Sequence, residues 1–260
     1  MLINRIKIIL LGFCFLTPSG LLAFDISSFS DIPVKGDILL SPARVELTID
    51  AGTNKTQYVD VLNRTGKDQV FTIEVEDFTF ELGTNGVSLG KTVGGINSSL
   101  KNYISVSSDQ FILAHGQQAR IPVAVDIPKD LSPGGLYGAV LISGRPAKNV
   151  SGATNIVTRM GALFFVKVHG EVKQSGKLNS LTFVANSLNI EFQNDGDIYL
   201  NPYGIINVYE YYTRKLVSKL VVDPWFVLPR STRTRSVLIN GLDGGKYTAE
   251  ITLNRGYENF

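Results

Sequence analysis

The fold class is decided by two short stretches, RVELTI at residues 44–49 and FTIEVE at residues 71–76. In both stretches apolar and polar side chains alternate one by one. Successive side chains of a β-strand point to opposite faces of a sheet, so this period of two places the apolar residues on one face. The two stretches therefore predict strands that each cover a core on one side, as the sheets of a β-sandwich do.

The same alternation recurs along most of the chain, with turn-forming residues about every 8–12 residues and no long stretch at the helical period. We therefore predict an all-β protein of two consecutive immunoglobulin-like β-sandwich domains, at residues 37–169 and 170–260, after a lead-in segment at 24–36. Pro122 lacks an amide proton and indicates a sheet edge or a bulge in its strand.

The glycine-rich segment at residues 82–101 interrupts the strand pattern inside the first predicted domain. About 20 residues is well beyond the usual length of a connection between strands. Three interpretations stay open: a functional loop, a small extra hairpin or a mobile segment. Because loops on a rigid scaffold commonly carry binding, we take this loop as the candidate contact surface.

Residues 1–23 have the three parts of a secretory signal peptide: basic Arg5 and Lys7, an apolar run at 8–16, and small Ala23 at the end. The alternative is an uncleaved anchor, but the apolar run is about nine residues against the roughly 20 that cross a bilayer. We expect an exported chain in the periplasm, at the cell surface or outside the cell, without a transmembrane anchor after cleavage. Cleavage would also remove Cys14, the one cysteine of the chain.

The charge of the chain argues against a polyanionic partner. The signal segment holds two of the 25 basic residues and none of the 23 acidic ones, so the mature chain carries 23 of each. Binding to nucleic acid or to an acidic membrane surface depends on clustered Lys and Arg. We therefore expect neither partner.

No catalytic, metal-binding or cofactor-binding pattern is evident. The two histidines, His115 and His169, have no cysteine or acid beside them at the spacing of a zinc site. Glu74 and Glu76 share a strand face and could form an acid/base pair, but two such acids are typical of the wet side of a strand. Gly90-Lys91-Thr92 lacks the strand-to-helix context of a phosphate-binding loop. We predict no catalytic residue, no metal and no cofactor, and an enzyme of unrecognised type stays as an alternative.

The run at residues 223–229 holds the one tryptophan, Trp225, next to Phe226. These rings either form a surface cluster for a glycan or a protein, or fill the second core. Arg230, Arg233 and Arg235 follow. The last two point the same way on a strand, where they could meet an anionic ligand or act as solvated edge charges that oppose aggregation.

Three motifs resemble the peptidoglycan-binding domain of WxL-interacting cell-surface proteins: LSPARVEL at 40–47, KTQYVDVLNRTG at 55–66 and PGGLYGAV at 133–140. The likeness covers roughly residues 36–143. It implies an immunoglobulin-like fold and, as partner, peptidoglycan or a cell-wall or surface protein. The chain differs from that family in lacking a C-terminal membrane anchor and in its shorter second half.

The chain also resembles periplasmic pilus chaperones, which have two such domains in a mature chain of similar length. The resemblance implies that Arg44 on the first strand and Arg159 on the last strand of the first domain grip the terminal carboxylate of a client. The client would then add a strand to the exposed sheet edge. In that family a Lys stands where this chain has Arg159.

The leading hypothesis is an exported, non-enzymatic cell-envelope protein that binds peptidoglycan or a wall protein, and a chaperone-like strand acceptor is the alternative. The candidate partner-binding residues are Arg44, Arg159, Asn85, Lys91, Asn97 and Tyr137. The sequence does not predict the oligomeric state.

Overall fold

The computed structural model describes residues 25–81, 86–91, 98–148 and 157–256, so the predicted signal peptide lies outside the described residues. The described residues of the first part of the chain form twelve strands. They are β1 (Asp25–Ser28), β2 (Ile38–Ser41), β3 (Arg44–Ile49), β4 (Asn54–Asn63), β5 (Gln69–Glu76), β6 (Phe78–Phe80), β7 (Val87–Leu89), β8 (Ile104–Val106), β9 (Gln110–Leu113), β10 (Gln117–Asp126), β11 (Gly134–Pro146) and β12 (Thr158–Val168). A 3₁₀ turn spans Lys101–Tyr103.

The described residues of the second part form six further strands. They are β13 (Gly176–Val184), β14 (Ser187–Asn194), β15 (Tyr203–Glu210), β16 (Leu216–Val222), β17 (Ser231–Leu238) and β18 (Tyr247–Asn254). The prediction of an all-β chain with two immunoglobulin-like sandwiches is confirmed. Its division at residues 37–169 and 170–260 stays a proposal.

The first sandwich is built from two five-stranded sheets. One has the order β1-β10-β4-β2, with β8 also paired to β10, and the other has the order β3-β12-β11-β5-β9. β3 and β12 run parallel. The chain thus leaves one sheet after β2 and enters the other at β3, which brings the ends of the two sheets together.

Alternation in the strands forms the first core, as the sequence predicts. Val45 and Ile49 of β3 are buried while Arg44, Glu46 and Thr48 between them are exposed. β10 and β11 supply further buried apolar residues that meet those of β3 between the sheets. Removing such apolar surface from water is the main favourable contribution to folding.

Pro122 lies in the interior of a sheet, which corrects the prediction of an edge or bulge. Its strand β10 pairs with β4 on one side. On the other side residues 117–120 pair with β1 and residues 123–125 pair with β8. Pro122 therefore stands between two short partner strands, where a missing amide proton breaks no ladder on that side.

The second sandwich has two three-stranded sheets, β13-β14-β17 and β16-β15-β18. Trp225 is buried in its core, where its ring meets Phe192 edge-on at 6.2 Å. The interpretation of Trp225 as a core residue is thus confirmed. The inner face of β13 is poorly covered: Phe183 pairs with buried Leu188 of β14 yet is 56% exposed.

A third apolar cluster joins the two sandwiches and the hairpin of β6 and β7. The hairpin contributes Phe78 and Phe80 to this cluster, the first sandwich Tyr137 and Phe165, and the second sandwich Phe226. The Phe165 and Phe226 rings lie 4.8 Å apart. Phe226 therefore packs between the sandwiches rather than in the second core, which corrects its predicted place.

Asn63 and Asn194 occupy equivalent positions in the two sandwiches, each at the inner face of the last residue of a central strand. The Asn63 Nδ2 donates to the carbonyls of Lys67 and Leu113, at 2.8 and 2.9 Å. The Asn194 Nδ2 donates to the carbonyls of Ile198 and Val227, both at 2.8 Å. Both sandwiches thus contain the same polar anchor, a buried asparagine whose amide donates to two backbone carbonyls. The sequence nevertheless shows no close internal repeat.

Two predicted irregular segments contain strands. Within the lead-in at 24–36, β1 pairs with β10. Within 82–101, β7 pairs with β6, so the interpretation of an extra hairpin is correct for the described part of that segment. Within the described residues no helix is long and apolar enough to span a membrane.

Candidate functional site

Arg44 begins β3 and lies on the face of the first sandwich that is turned toward the second. Its Nε forms an ion pair of 3.0 Å with Glu46, two residues along the same strand. Its guanidinium lies 4.9 Å from the centre of the Phe226 ring. The charge of Arg44 is thus already balanced, although its side chain is still half exposed.

Arg159 lies near the start of β12, opposite Ser143 of β11. Its Nη2 forms ion pairs with Glu74 at 2.6 Å and Glu76 at 3.3 Å. The two acids that look like the wet side of a strand therefore hold an arginine from the same sheet. These pairs are partly exposed, so their contribution to stability is small.

The structure places Arg44 and Arg159 on the same face but does not bring them together. Arg44 pairs in register with Leu163, four residues beyond Arg159 on β12. At the usual rise of a strand, four residues separate Arg159 from Leu163, and so from the neighbouring Arg44, by about 13 Å along the strand. Each arginine has its own carboxylate, so a single client carboxylate would have to displace Glu46 or the Glu74 and Glu76 pair to be gripped.

Tyr137 is 2% exposed, which corrects the expectation that it contacts a partner. Its ring meets those of Phe78 and Phe165 edge-on in the cluster between the sandwiches. Its hydroxyl oxygen accepts a hydrogen bond of 2.8 Å from the Tyr199 amide. The side chain is buried because β11 is the central strand of its sheet and this face is covered by the second sandwich.

Lys91 follows β7 and lines a cavity of about 520 Å³ between the hairpin and β17, together with Arg233. Asn85 and Asn97, the other candidates in the 82–101 loop, lie outside the described residues. Of the three loop candidates, the described part of the chain therefore gives a structural setting only to Lys91.

Arg233 is buried, so its interpretation as a solvated edge charge is wrong. Its Nη1 donates to the Phe226 carbonyl at 2.6 Å, and its guanidinium stacks 3.9 Å from the centre of the Phe80 ring. Burial, and secondarily the charge of Arg235, lower the pKa of Arg233. Arg233 thus connects the β6–β7 hairpin to the second sandwich.

Arg230 forms an ion pair of 2.6 Å with Asp197 beside a cavity of about 470 Å³ between the sandwiches. The Arg230 hydrogen bond, with the Lys173 amide, lowers the pKa of the Asp197 carboxyl. The sequence indicates neither this pair nor the Asn63 and Asn194 anchors. Only the shared pattern of an asparagine that ends an apolar alternation, Val59-x-Val61-x-Asn63 and Ile190-x-Phe192-x-Asn194, could have revealed the anchors.

The histidines have structural roles. The ring of His115 bridges the Gly66 amide, at 3.2 Å from Nδ1, and the Ile32 carbonyl, at 3.0 Å from Nε2. His169 lies 3.0 Å from Asp50 at the surface. Among the described residues no three His, Cys, Asp or Glu side chains form a group that could hold a metal ion.

Part of one edge of β12 has no strand partner among the described residues. The whole strand pairs with β11, but on its other side only residues 163–168 pair with β3. Within the described part of the chain, no strand pairs with that side of residues 158–162. Within the described residues, five positions of this sheet edge next to Arg44 therefore have no strand partner.

A scan against family models finds no match, and neither does a search of curated proteins. The resemblance to WxL-interacting proteins thus has no support from a family model.

Among solved structures, the chain is similar to the class 5 fimbriae chaperone CfaA, with 14% identity and a TM-score of 0.46 over 83% of this chain and 98% of that chain. It is similar to the YadV chaperone, with 11% identity and a TM-score of 0.47 over 85% and 96%. It is also similar to a Salmonella enterica complex of the SafA pilin with the SafB chaperone, with 16% identity and a TM-score of 0.44 over 86% and 93%. All three TM-scores are below 0.5, so what the chain binds is inferred from its own residues.

Proposed function

We propose that this chain is an exported, non-enzymatic binding protein that captures an extended segment of a partner protein by adding it as a strand to β12. The open edge at residues 158–162 is the observation that carries the proposal. An extended segment at such an edge gains backbone hydrogen bonds for affinity, and pockets for alternate side chains give specificity.

The free hydrogen-bonding groups of this edge follow from the strand geometry. The Leu163 amide donates to the Ala43 carbonyl at 3.0 Å, so it points away from β11. Alternate residues of a strand point their amides to the same side. The amides and carbonyls of Arg159 and Gly161 therefore point to the open side, where an incoming strand would meet them.

An apolar floor lies below this edge. Met160 on β12 and Leu40 on β2 are half-buried and pack against the first core. β2 is the edge strand of the opposite sheet and contacts β12. A strand added to β12 would cover both side chains, so we propose that the captured segment has alternating apolar residues.

The two arginines are the proposed polar contacts of the captured segment. Arg44 stands where the open edge ends at β3, and Arg159 stands within the edge. Their side chains are partly exposed, so a partner carboxylate could compete with Glu46 or with the Glu74 and Glu76 pair. Export to the periplasm or the cell surface is proposed from residues 1–23.

Peptidoglycan is less well supported as the partner. The motifs that resemble WxL-interacting proteins contain turn and core residues such as Asn63 and Tyr137, which are buried. The strand-addition proposal rests instead on open backbone groups.

The test is a selection of displayed peptides on the purified mature chain, with Arg159→Pro and Arg159→Ala as matched baits. Arg159→Pro removes one outward amide donor and leaves the β11 ladder intact, whereas Arg159→Ala keeps that donor. We expect peptides with alternating apolar residues to be enriched on the wild type and lost on Arg159→Pro. Thermal unfolding shows whether each variant is folded.

The comparison of the two variants separates the parts of the proposal. If peptide enrichment is lost only on the Arg159→Pro bait, the partner binds through the backbone of β12. If enrichment is also lost on the Arg159→Ala bait, the Arg159 side chain contributes to binding as well. No enrichment on the wild type, or equal enrichment on a folded Arg159→Pro bait, would overturn the proposal.

A further inference from the structure

The cavity between the β6–β7 hairpin and β17 takes no part in the proposed strand addition. It has a volume of about 520 Å³, and none of its described lining residues belongs to β12. Its lining residues are Thr79, Phe80, Glu81, Ser88, Lys91, Ser231, Thr232 and Arg233.

Arg233 gives the cavity a buried cation without an ion pair. The residue is 7% exposed, and among the described residues no carboxylate lies within ion-pair distance of it. One guanidinium nitrogen donates to the Phe226 carbonyl, while the Nε has no acceptor although it is buried. A buried charge is costly unless it is paired and hydrogen-bonded, so the site is electrostatically incomplete.

Other lining groups add to the same chemistry. Lys91 brings a second positive charge from the end of the hairpin, and no carboxylate pairs with it in the described ranges. Thr79, Ser88 and Thr232 place hydroxyl donors on the lining, and Glu81 is the one acid among the described lining residues. The lining charges thus sum to one net positive charge, which a single anionic group would balance.

The cavity also has an apolar side. The Phe80 ring, which stacks on Arg233, lines it. A guanidinium held against an aromatic ring is fixed in orientation, and its remaining N–H groups match the two oxygens of a carboxylate. An apolar group attached to that carboxylate would pack on Phe80.

We propose that this cavity binds a carboxylate carried on an apolar group, with Arg233 and Lys91 as its cationic partners. The carboxylate oxygens accept hydrogen bonds from the guanidinium of Arg233 and from the Lys91 ammonium, and the apolar group lies along the hairpin. The site uses no described residue of β12 and does not depend on strand capture.

The test uses hexanoate and its neutral analogue hexanamide, titrated into the mature chain and followed by ligand-observed NMR. The two probes share one apolar chain and differ in charge, so their comparison isolates the ionic contribution. We expect hexanoate to bind at least about tenfold more tightly than hexanamide. Inorganic phosphate is the third probe, and equal binding of phosphate would show a site for any oxyanion and overturn the apolar part of the proposal.

Three variants complete the test. Arg233→Gln should weaken hexanoate binding at least about tenfold, and Lys91→Gln about threefold to tenfold. Arg235→Gln is the matched control, because Arg235 lies on the same face of the same strand but does not line the cavity. Lys91 is exposed, so its variant stays informative if Arg233→Gln fails to fold. Equal binding of hexanoate and hexanamide, or unchanged hexanoate binding in a folded Lys91→Gln and Arg233→Gln, would overturn the proposal.

Discussion

The hydroxyl oxygen of Tyr137 accepts a hydrogen bond of 2.8 Å from the backbone amide of Tyr199. The bond crosses from the central strand β11 of the first sandwich to the segment between β14 and β15 of the second. It lies in the aromatic cluster that joins the sandwiches, where the buried Tyr137 side chain is a partner of the Tyr199 amide.

Tyr137→Phe keeps the ring and removes this acceptor. A buried donor without a partner costs about 1–3 kcal/mol, so we expect the free energy of unfolding to fall by that amount. Urea denaturation of the mature chain measures it. Tyr58→Phe, at an exposed position of β4, is the control and should change stability by less than about 0.5 kcal/mol. A loss no larger than that of the control would show that the bond does not contribute.

Asn63 and Asn194 should each contribute more to the free energy of unfolding than an exposed asparagine does. Both are 0% exposed, and each satisfies two backbone carbonyls. Asn63→Ala and Asn194→Ala leave those carbonyls without donors, so we expect a loss of about 2–4 kcal/mol in the free energy of unfolding for each. Asn179→Ala, on exposed β13, should have little effect. Similar losses for all three variants would contradict the anchor role.

The ion pair between Asp197 and Arg230 should make the free energy of unfolding decrease at acidic pH. The Arg230 hydrogen bond and the Lys173 amide hold the Asp197 pKa below its ordinary value of 3.8. A carboxyl with a lowered folded-state pKa contributes stability that is present above 3.8 and lost as the pH falls through the folded-state pKa. We expect Asp197→Asn to lose less stability than the wild type between pH 5 and strong acid. Urea midpoints across that range measure this, with Asp243→Asn as control. Identical pH profiles for wild type and Asp197→Asn would contradict the prediction.

Amide hydrogen exchange can test the open edge of β12 without a ligand. The amides of Arg159 and Gly161 point away from β11, whereas those of Met160 and Ala162 point toward it. Because ladder bonds protect amides, we expect Arg159 and Gly161 to exchange at least about tenfold faster than Met160 and Ala162. Equal protection of all four amides would mean that this edge is covered in solution.

Two substitutions at neighbouring positions can test whether the inner face of β13 is exposed in solution. Phe183 and Leu188 are cross-strand partners, but Phe183 is 56% exposed and Leu188 is buried. We expect Leu188→Ala to cost about 2–5 kcal/mol and Phe183→Ser about 1 kcal/mol or less. Denaturation midpoints with unchanged slopes measure both losses. A large loss for Phe183→Ser would indicate that β13 is covered in solution.

Several features of the fold follow from local sequence alone. The alternation at 44–49 predicts the exposure pattern of β3 residue by residue, and a small hairpin is one of the three structures that the glycine-rich 82–101 segment allows. The prediction that Pro122 lies at a sheet edge or a bulge is wrong, since a proline shows only that one amide proton is missing. Its place between β1 and β8 depends on how two distant short strands divide one edge of β10.

The candidate site was less predictable than the fold. Arg44 and Arg159 are candidates through the resemblance to pilus chaperones, but their carboxylate partners come from β3 itself and from β5 through the sheet. The sequence predicts Tyr137 as a partner-binding residue and Phe226 as part of a surface cluster or of the second core. Both belong instead to the cluster between the sandwiches.

The sequence by itself determined the β-sandwich class, because side-chain alternation is a property of neighbouring residues and sets which face of each strand can be buried. Only the tertiary structure decided which strand edges stay open, which charges are paired and which aromatic rings meet. Those outcomes depend on register and on strands far apart in the chain, as the contact of Arg233 with Phe80 and the bond of Tyr137 to Tyr199 show. No local pattern encodes such distances.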